Sequence, residues 1–185
     1  MLRIVAVTGM PGAGKSTAVK GLVGSGWRRF VMGDVIRAET KRRGLEPDAA
    51  NTGEVMKDLR RAGGEAAVAK LCLEQVAAAG ADRVVIDGIR SMAEVEEFRR
   101  GARVLLVAVH ASPTRRYELL KERGRSDDPL SLEMFLERDR RELGVGIGIA
   151  VALADEVVSN ERSTPEGLSQ MTAEAVGRWL ERDAA

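Results

Sequence analysis

Ile4-Val5-Ala6-Val7-Thr8-Gly9-Met10-Pro11-Gly12-Ala13-Gly14-Lys15-Ser16-Thr17 is the stretch on which the fold turns. Its first five residues are apolar or β-branched and predict a strand, and Gly9 with Pro11-Gly12 ends that strand in a turn. Lys15-Ser16-Thr17 then opens a segment with helical spacing. The pattern G-x-x-x-x-G-K-[ST] therefore stands after a strand and before a helix, the context in which it forms a phosphate-binding loop. The glycines let successive backbone N–H groups turn inward around a polyphosphate, and the helix start adds a fixed partial positive charge. Lys15 reaches the terminal phosphates, and the Ser16 hydroxyl can hold Mg2+. Residues Gly9, Met10, Pro11, Gly12, Ala13, Gly14, Lys15, Ser16 and Thr17 form the expected nucleotide-binding set.

Outward from this loop, further β-branched runs recur at Phe30–Met32, Val84–Asp87, Val104–Val109 and Glu156–Ser159, each followed by helical spacing. That alternation predicts an α/β fold, a five-stranded parallel sheet with helices on both faces. Helix starts are marked by Ser91-Met92-Ala93-Glu94 in capping-box form, by Ser112-Pro113, and by Ser163-Thr164-Pro165. Residues 34–79, broken by Gly44, Pro47, Gly53 and Gly63-Gly64, read as several helices inserted between the second and third strands. Residues 124–143, a polar turn-rich loop and then a helix, read as a movable flap. Val84-Val85-Ile86-Asp87 is an apolar strand ending in a carboxylate, as a Walker-B aspartate does, and Asp87 is the expected partner of Ser16 on Mg2+.

The 185 residues suit a single domain, with 44% apolar and 31% charged residues. The net charge of +1 gives no whole-molecule attraction to nucleic acid or to an anionic membrane, so any anion site is local. Arginine supplies 23 of the 29 basic residues, and its planar fork suits bidentate phosphate contacts; genome composition explains the same bias. Cys72 is the only cysteine and His110 the only histidine, which rules out an intramolecular disulfide and a Cys/His metal set. No run approaches the ~18 apolar residues of a membrane span, and the apolar start is too short for a signal segment. A soluble, cytoplasmic chain is expected, with no membrane or nucleic-acid partner and with its oligomeric state open.

Several of these segments carry a resemblance. Met32-Gly33-Asp34-Val35-Ile36-Arg37 resembles the Thr-Gly-Asp-x-Leu-Arg element of adenylate kinases, and Asp87-Gly88-Ile89-Arg90 resembles their Asp-Gly-Phe-Pro-Arg element. Arg125-Ser126-Asp127-Asp128 with Arg138 resembles the lid pattern of that family, and Ser112-Pro113 through Arg123 the helix leading into it. Ala154 through Asn160 resembles the last strand of dephospho-CoA kinases, which ends in an asparagine near the adenine of ATP. Taken whole, the chain is similar to a group of archaeal P-loop proteins related to adenylate kinase and dephospho-CoA kinase. The resemblance implies ATP and Mg2+ as cofactors and assigns Asp34, Arg37, Gly88 and Arg90 to the acceptor. It assigns Arg123, Arg125 and Arg138, with Lys15, to catalysis and Asn160 to ATP. Leu119, Ile89 and Met32 stand where adenylate kinases carry other residues, so the identity of the acceptor base does not carry over.

Phosphoryl transfer needs positioning and charge neutralisation more than covalent chemistry. The implied activity is transfer of the γ-phosphate of ATP to a small phosphorylated acceptor, most readily a nucleoside monophosphate such as AMP. Dephospho-CoA kinase and a nucleotide-binding regulatory ATPase are the alternatives. Asp34 would orient arginines beside a phosphate acceptor and would serve as general base toward a hydroxyl. His110 reads as a packed or loop residue and Cys72 as core. Arg60, Arg61 and Arg141 read as surface charges, and residues 145–154 as a buried helix below the lid.

Overall fold

Ile4 through Thr8 are wholly buried, so this strand is covered on both faces, as the centre of a parallel sheet must be. The computed structural model describes residues 1–124 and 128–182 and builds the sheet around β1 (Arg3–Thr8). After it come α1 (Lys15–Ala18), α2 (Lys20–Gly24), β2 (Arg28–Val31), α3 (Met32–Arg42), α4 (Ala49–Gly63), α5 (Ala67–Ala78) and β3 (Arg83–Ile89). The second half contains α6 (Met92–Arg99), β4 (Arg103–His110), α7 (Pro113–Arg123), α8 (Leu132–Val145), α9 (Ile147–Ala152), β5 (Glu156–Ser159) and α10 (Pro165–Arg182). All strand pairs are parallel, in the order β2-β3-β1-β4-β5. The five-stranded α/β expectation is met.

Alternation along β1 divides the core between the two faces. Ile4 and Ala6, with Val84, Ile86 and Leu106, pack against Val35 and Ile36 of α3, Cys72 of α5 and Phe98 of α6. Val5 and Val7, with Leu105 and Val107, pack against Leu22 of α2 and Leu168, Val176 and Trp179 of α10. Helix starts follow the sequence signals. Ser91 and Glu94 form the full capping box of α6, and Ser112 caps α7 ahead of Pro113. Of the two candidates before α10, Thr164 accepts the Gly167 N–H, while Ser163 donates to the Ser159 carbonyl.

Three expectations are corrected. Met32 is not a strand residue: β2 ends at Val31, and Met32 opens α3 with its side chain fully buried in the core. The helix expected at 145–154 is the shorter α9, which buries Ile147 and Ala150 but leaves Ile149 exposed, with Leu153 exposed at its C-cap. Arg60 is no surface charge, because it donates to the buried Glu94 carboxylate at 3.3 Å. Cys72 is core as expected, and burial pushes its thiol up to about 12. Among the described residues, no helix is long and apolar enough to cross a membrane.

Candidate active site

With strand order 2-3-1-4-5, the chain leaves β1 toward β2 on one side and later returns to β4 on the other. A crevice opens at such a reversal, outside the carboxyl ends of the strands. Here it lies between the ends of β1 and β3. The ladder between them slips by one residue: Val7 pairs with Asp87 and Thr8 with Ile89, so Gly88 bulges out at φ +101°. The Thr8 hydroxyl donates to the Ile89 carbonyl at 3.0 Å and fixes the slip. A bulge of this kind re-aims its neighbours, and Asp87 and Arg90 face the phosphate loop.

The loop itself passes tightly under β4. A Cβ at Gly9 would lie 2.3 Å from the Val109 carbonyl oxygen, so no larger residue fits there. The Ala13 N–H donates to the Met10 carbonyl, and Gly14 precedes α1 with left-handed backbone. Asn160, buried at the end of β5, donates to the Ala13 carbonyl at 3.1 Å. Arg116 of α7, which the sequence reading did not single out, donates to the Pro11 carbonyl at 3.0 Å. Its guanidinium is also held bidentately by Asp139 of α8, at 2.8 and 2.5 Å, and lies over the Phe135 ring.

Lys15 folds back within the loop, donating to the carbonyls of Gly9 at 2.6 Å and Met10 at 3.2 Å. Removal from water lowers its pKa to about 8, against the pull of Asp87 and with the push of Arg90. The ordinary value is 10.5, so between these two values the unfolded chain holds more protons than the folded one. Stability therefore rises with pH through that window, and below it the cost of holding the charged Lys15 is constant with pH. Cys72 acts in the opposite sense above its ordinary value of 9.0, because the folded chain keeps its thiol proton. Urea midpoints of the ligand-free protein between pH 7 and 9 should accordingly rise, and the rise should vanish in Lys15→Met.

The Ser16 hydroxyl and the Asp87 carboxylate meet at 3.5 Å. A third group, Arg29 of β2, joins them: its guanidinium lies 2.5 Å from Asp87 Oδ2 and 3.0 Å from Ser16 Oγ. A cation thus already bridges the two oxygen donors expected to share a metal. Arg90 donates from Nε to Glu142 of α8 at 2.8 Å, and its backbone N–H donates to Glu94 at 2.8 Å. Burial opposes the charge of Arg90, but Glu142, Glu94 and Asp87 hold its pKa above the ordinary value. Burial likewise opposes the Glu142 carboxylate, which Arg90, Arg138 and Lys15 together hold below the usual range.

Lys15, Gly88, Arg90 and Glu142 line one narrow cleft with Gly9 and Ile147. Other expected residues stand apart from it. Arg37 pairs with Asp34 on an exposed stretch of α3. Arg123 and Arg138 both meet the buried Asp128, and Arg125 lies outside the described residues. His110 is exposed at the end of β4, where its carbonyl accepts the Asn160 N–H at 2.7 Å. Arg29, Arg116 and Glu142 are additions, each a charge whose partner lies on a distant segment.

A parallel five-stranded sheet with a phosphate loop after its first strand defines a P-loop NTPase fold. Residues 5–142 match the family model described as an AAA domain. The chain belongs to the UPF0200 family. It is 46% identical over 170 residues to the UPF0200 protein of Methanocaldococcus jannaschii, covering 91% of this chain and 86% of the relative. It is 48% identical over 169 residues to that of Thermococcus kodakarensis, covering 88% and 91%. Among solved structures, shikimate kinase from Bacteroides thetaiotaomicron superposes with a TM-score of 0.63 at 18% identity, over 95% of this chain and 98% of that one. A Thermus thermophilus protein gives 0.68 at 20%, over 96% and 97%.

Proposed function

We propose that this protein is an ATP-dependent phosphotransferase that moves the γ-phosphoryl group of ATP to a small phosphorylated acceptor, a nucleoside monophosphate such as AMP. The observation that carries this reading is the meeting of Lys15, Ser16, Asp87 and Arg90 where β1 and β3 end. The loop N–H groups and Lys15 take the donor phosphates, with Asn160 supporting the loop from beneath. Arg90, beside Gly88, takes the acceptor phosphate, joined by Arg37 from the helical segment 34–79. The segment 124–143 serves as lid, with Arg123, Arg125 and Arg138 as the catalytic arginines. An acceptor that is already ionised needs no general base, which agrees with Asp34 being paired to Arg37.

Mg2+ suits the oxygen donors Ser16 and Asp87, and Arg29 stands in for it between them. When bound, the ion would neutralise charge on the nucleotide phosphates. Asp87→Asn should then raise the Mg2+ concentration at half-maximal rate, measured by titrating metal at fixed ATP. An unchanged requirement would separate Asp87 from the metal. The reading as a whole is tested by a coupled assay across nucleoside monophosphates and dephospho-CoA. Turnover with a monophosphate is the expected result. Turnover with dephospho-CoA alone would replace the acceptor, and ATP hydrolysis indifferent to every acceptor would indicate a regulatory ATPase in the cytoplasm.

A further inference from the structure

We infer that the carboxylate of Glu142 occupies the place of the acceptor's phosphate group, and that an incoming phosphate displaces it. This deepens the phosphotransferase reading and rests on it for the identity of the incoming group. Glu142 is 8% exposed, an unusual state for a carboxylate unless cations surround it. Its Oε2 accepts from Arg90 Nε at 2.8 Å, and Lys15 and Arg138 act on it from the loop and from its own helix. Of these, Lys15 is expected on the donor phosphates, Arg90 on the acceptor phosphate and Arg138 in catalysis. Glu142 also borders the same cleft as the phosphate loop. An anion supplied from α8 thus neutralises the basic site.

Two features tie the end of α8 that carries this carboxylate to its surroundings. Residue 142 lies in the last turns of α8, whose earlier residue Asp139 clasps Arg116 and through it the Pro11 carbonyl. After α8, the chain turns at Gly146, φ +106°, into α9. Glu142 can withdraw only if this end of α8 shifts or its side chain swings outward. A phosphate carries more charge and more acceptor oxygens than a carboxylate, and it can engage Arg90 bidentately. It therefore outcompetes Glu142 for the same cations. An acceptor whose reacting end is a bare hydroxyl has no comparable means of expelling it, so the device selects a phosphorylated acceptor.

The test is calorimetric titration of inorganic phosphate into the full chain with its phosphate loop filled by Mg2+ and the nonhydrolysable analogue AMPPNP. Glu142→Gln, which keeps the shape and removes the competing charge, should bind phosphate about tenfold more tightly than the parent chain, one charge-assisted contact being worth roughly that factor. Arg90→Ala should bind it more weakly. Equal or weaker phosphate binding in Glu142→Gln overturns the inference. Should that variant fail to unfold cooperatively, Glu142→Asp takes its place, since its carboxylate falls a methylene short of Arg90; a smaller gain supports displacement and no gain overturns it. Tightened phosphate binding without turnover of any acceptor would leave the role of Glu142 standing and remove the phosphotransferase reading. Normal turnover without tightening would do the reverse.

Discussion

Lys15→Ala should lower ATP-dependent phosphoryl transfer by a hundredfold or more while leaving the fold in place. On the proposed reading the ammonium meets charge that grows on the transferring group, and deleting one such donor costs about 10²–10³ in rate. Water cannot replace it, because the side chain lies within the loop against the Gly9 and Met10 carbonyls. The expected sparing of stability follows from the lowered pKa: below about 8 the folded chain holds this charge at a disadvantage, so its removal relieves the folded state. Steady-state rates with the parent's best acceptor, paired with urea unfolding at pH 7, check both halves. Retention of most of the activity would remove Lys15 from the chemistry.

Arg116→Ala should produce the largest loss of stability among the charged residues. The guanidinium is 3% exposed and is shared between the Pro11 carbonyl and both oxygens of Asp139. Truncation leaves Asp139 partly buried without its partner, and breaking a buried pair from one side costs about 3–5 kcal/mol. At the roughly 2–4 °C per kcal/mol expected for a domain of this size, the melting temperature falls by about 10 °C. Arg116→Met with Asp139→Leu removes both charges together and should recover most of that loss. A double variant as unstable as Arg116→Ala would show that the Pro11 contact, not the ion pair, carries the stabilisation.

The residues that were legible in the sequence are those whose role is local. A glycine-rich turn between a strand and a helix, a strand ending in Asp87, and Ser91 three residues before Glu94 each carry their structural context within a few positions. The strand count followed because buried parallel strands are continuous apolar runs. Arg29, Glu142 and Arg116 were not legible, because their partners are 58, 52 and 105 residues away. Each is a charge in an otherwise ordinary polar pattern, and periodicity gives the same signal for a solvated arginine as for a buried one. Arg60 reads as a surface charge for the same reason, its partner Glu94 being 34 residues on. Met32 was read as strand because an apolar residue continuing an apolar run carries no mark of where extended backbone gives way to helix.

The bond from Asn160 to the Ala13 carbonyl spans 147 residues, and it has a consequence for the order in which the chain acquires its shape. The phosphate loop leaves the ribosome long before the residues that fasten its underside. β4 gains its outer neighbour only with β5, and α1 and α2 gain their cover only with α10. A nascent chain ending before Ala154 therefore holds the loop sequence complete but unsupported, with one sheet edge open. Closure of such distant contacts is slow relative to local helix formation. Support for the loop from beneath thus arrives only once β5 and α10 have been made, long after the loop's own residues.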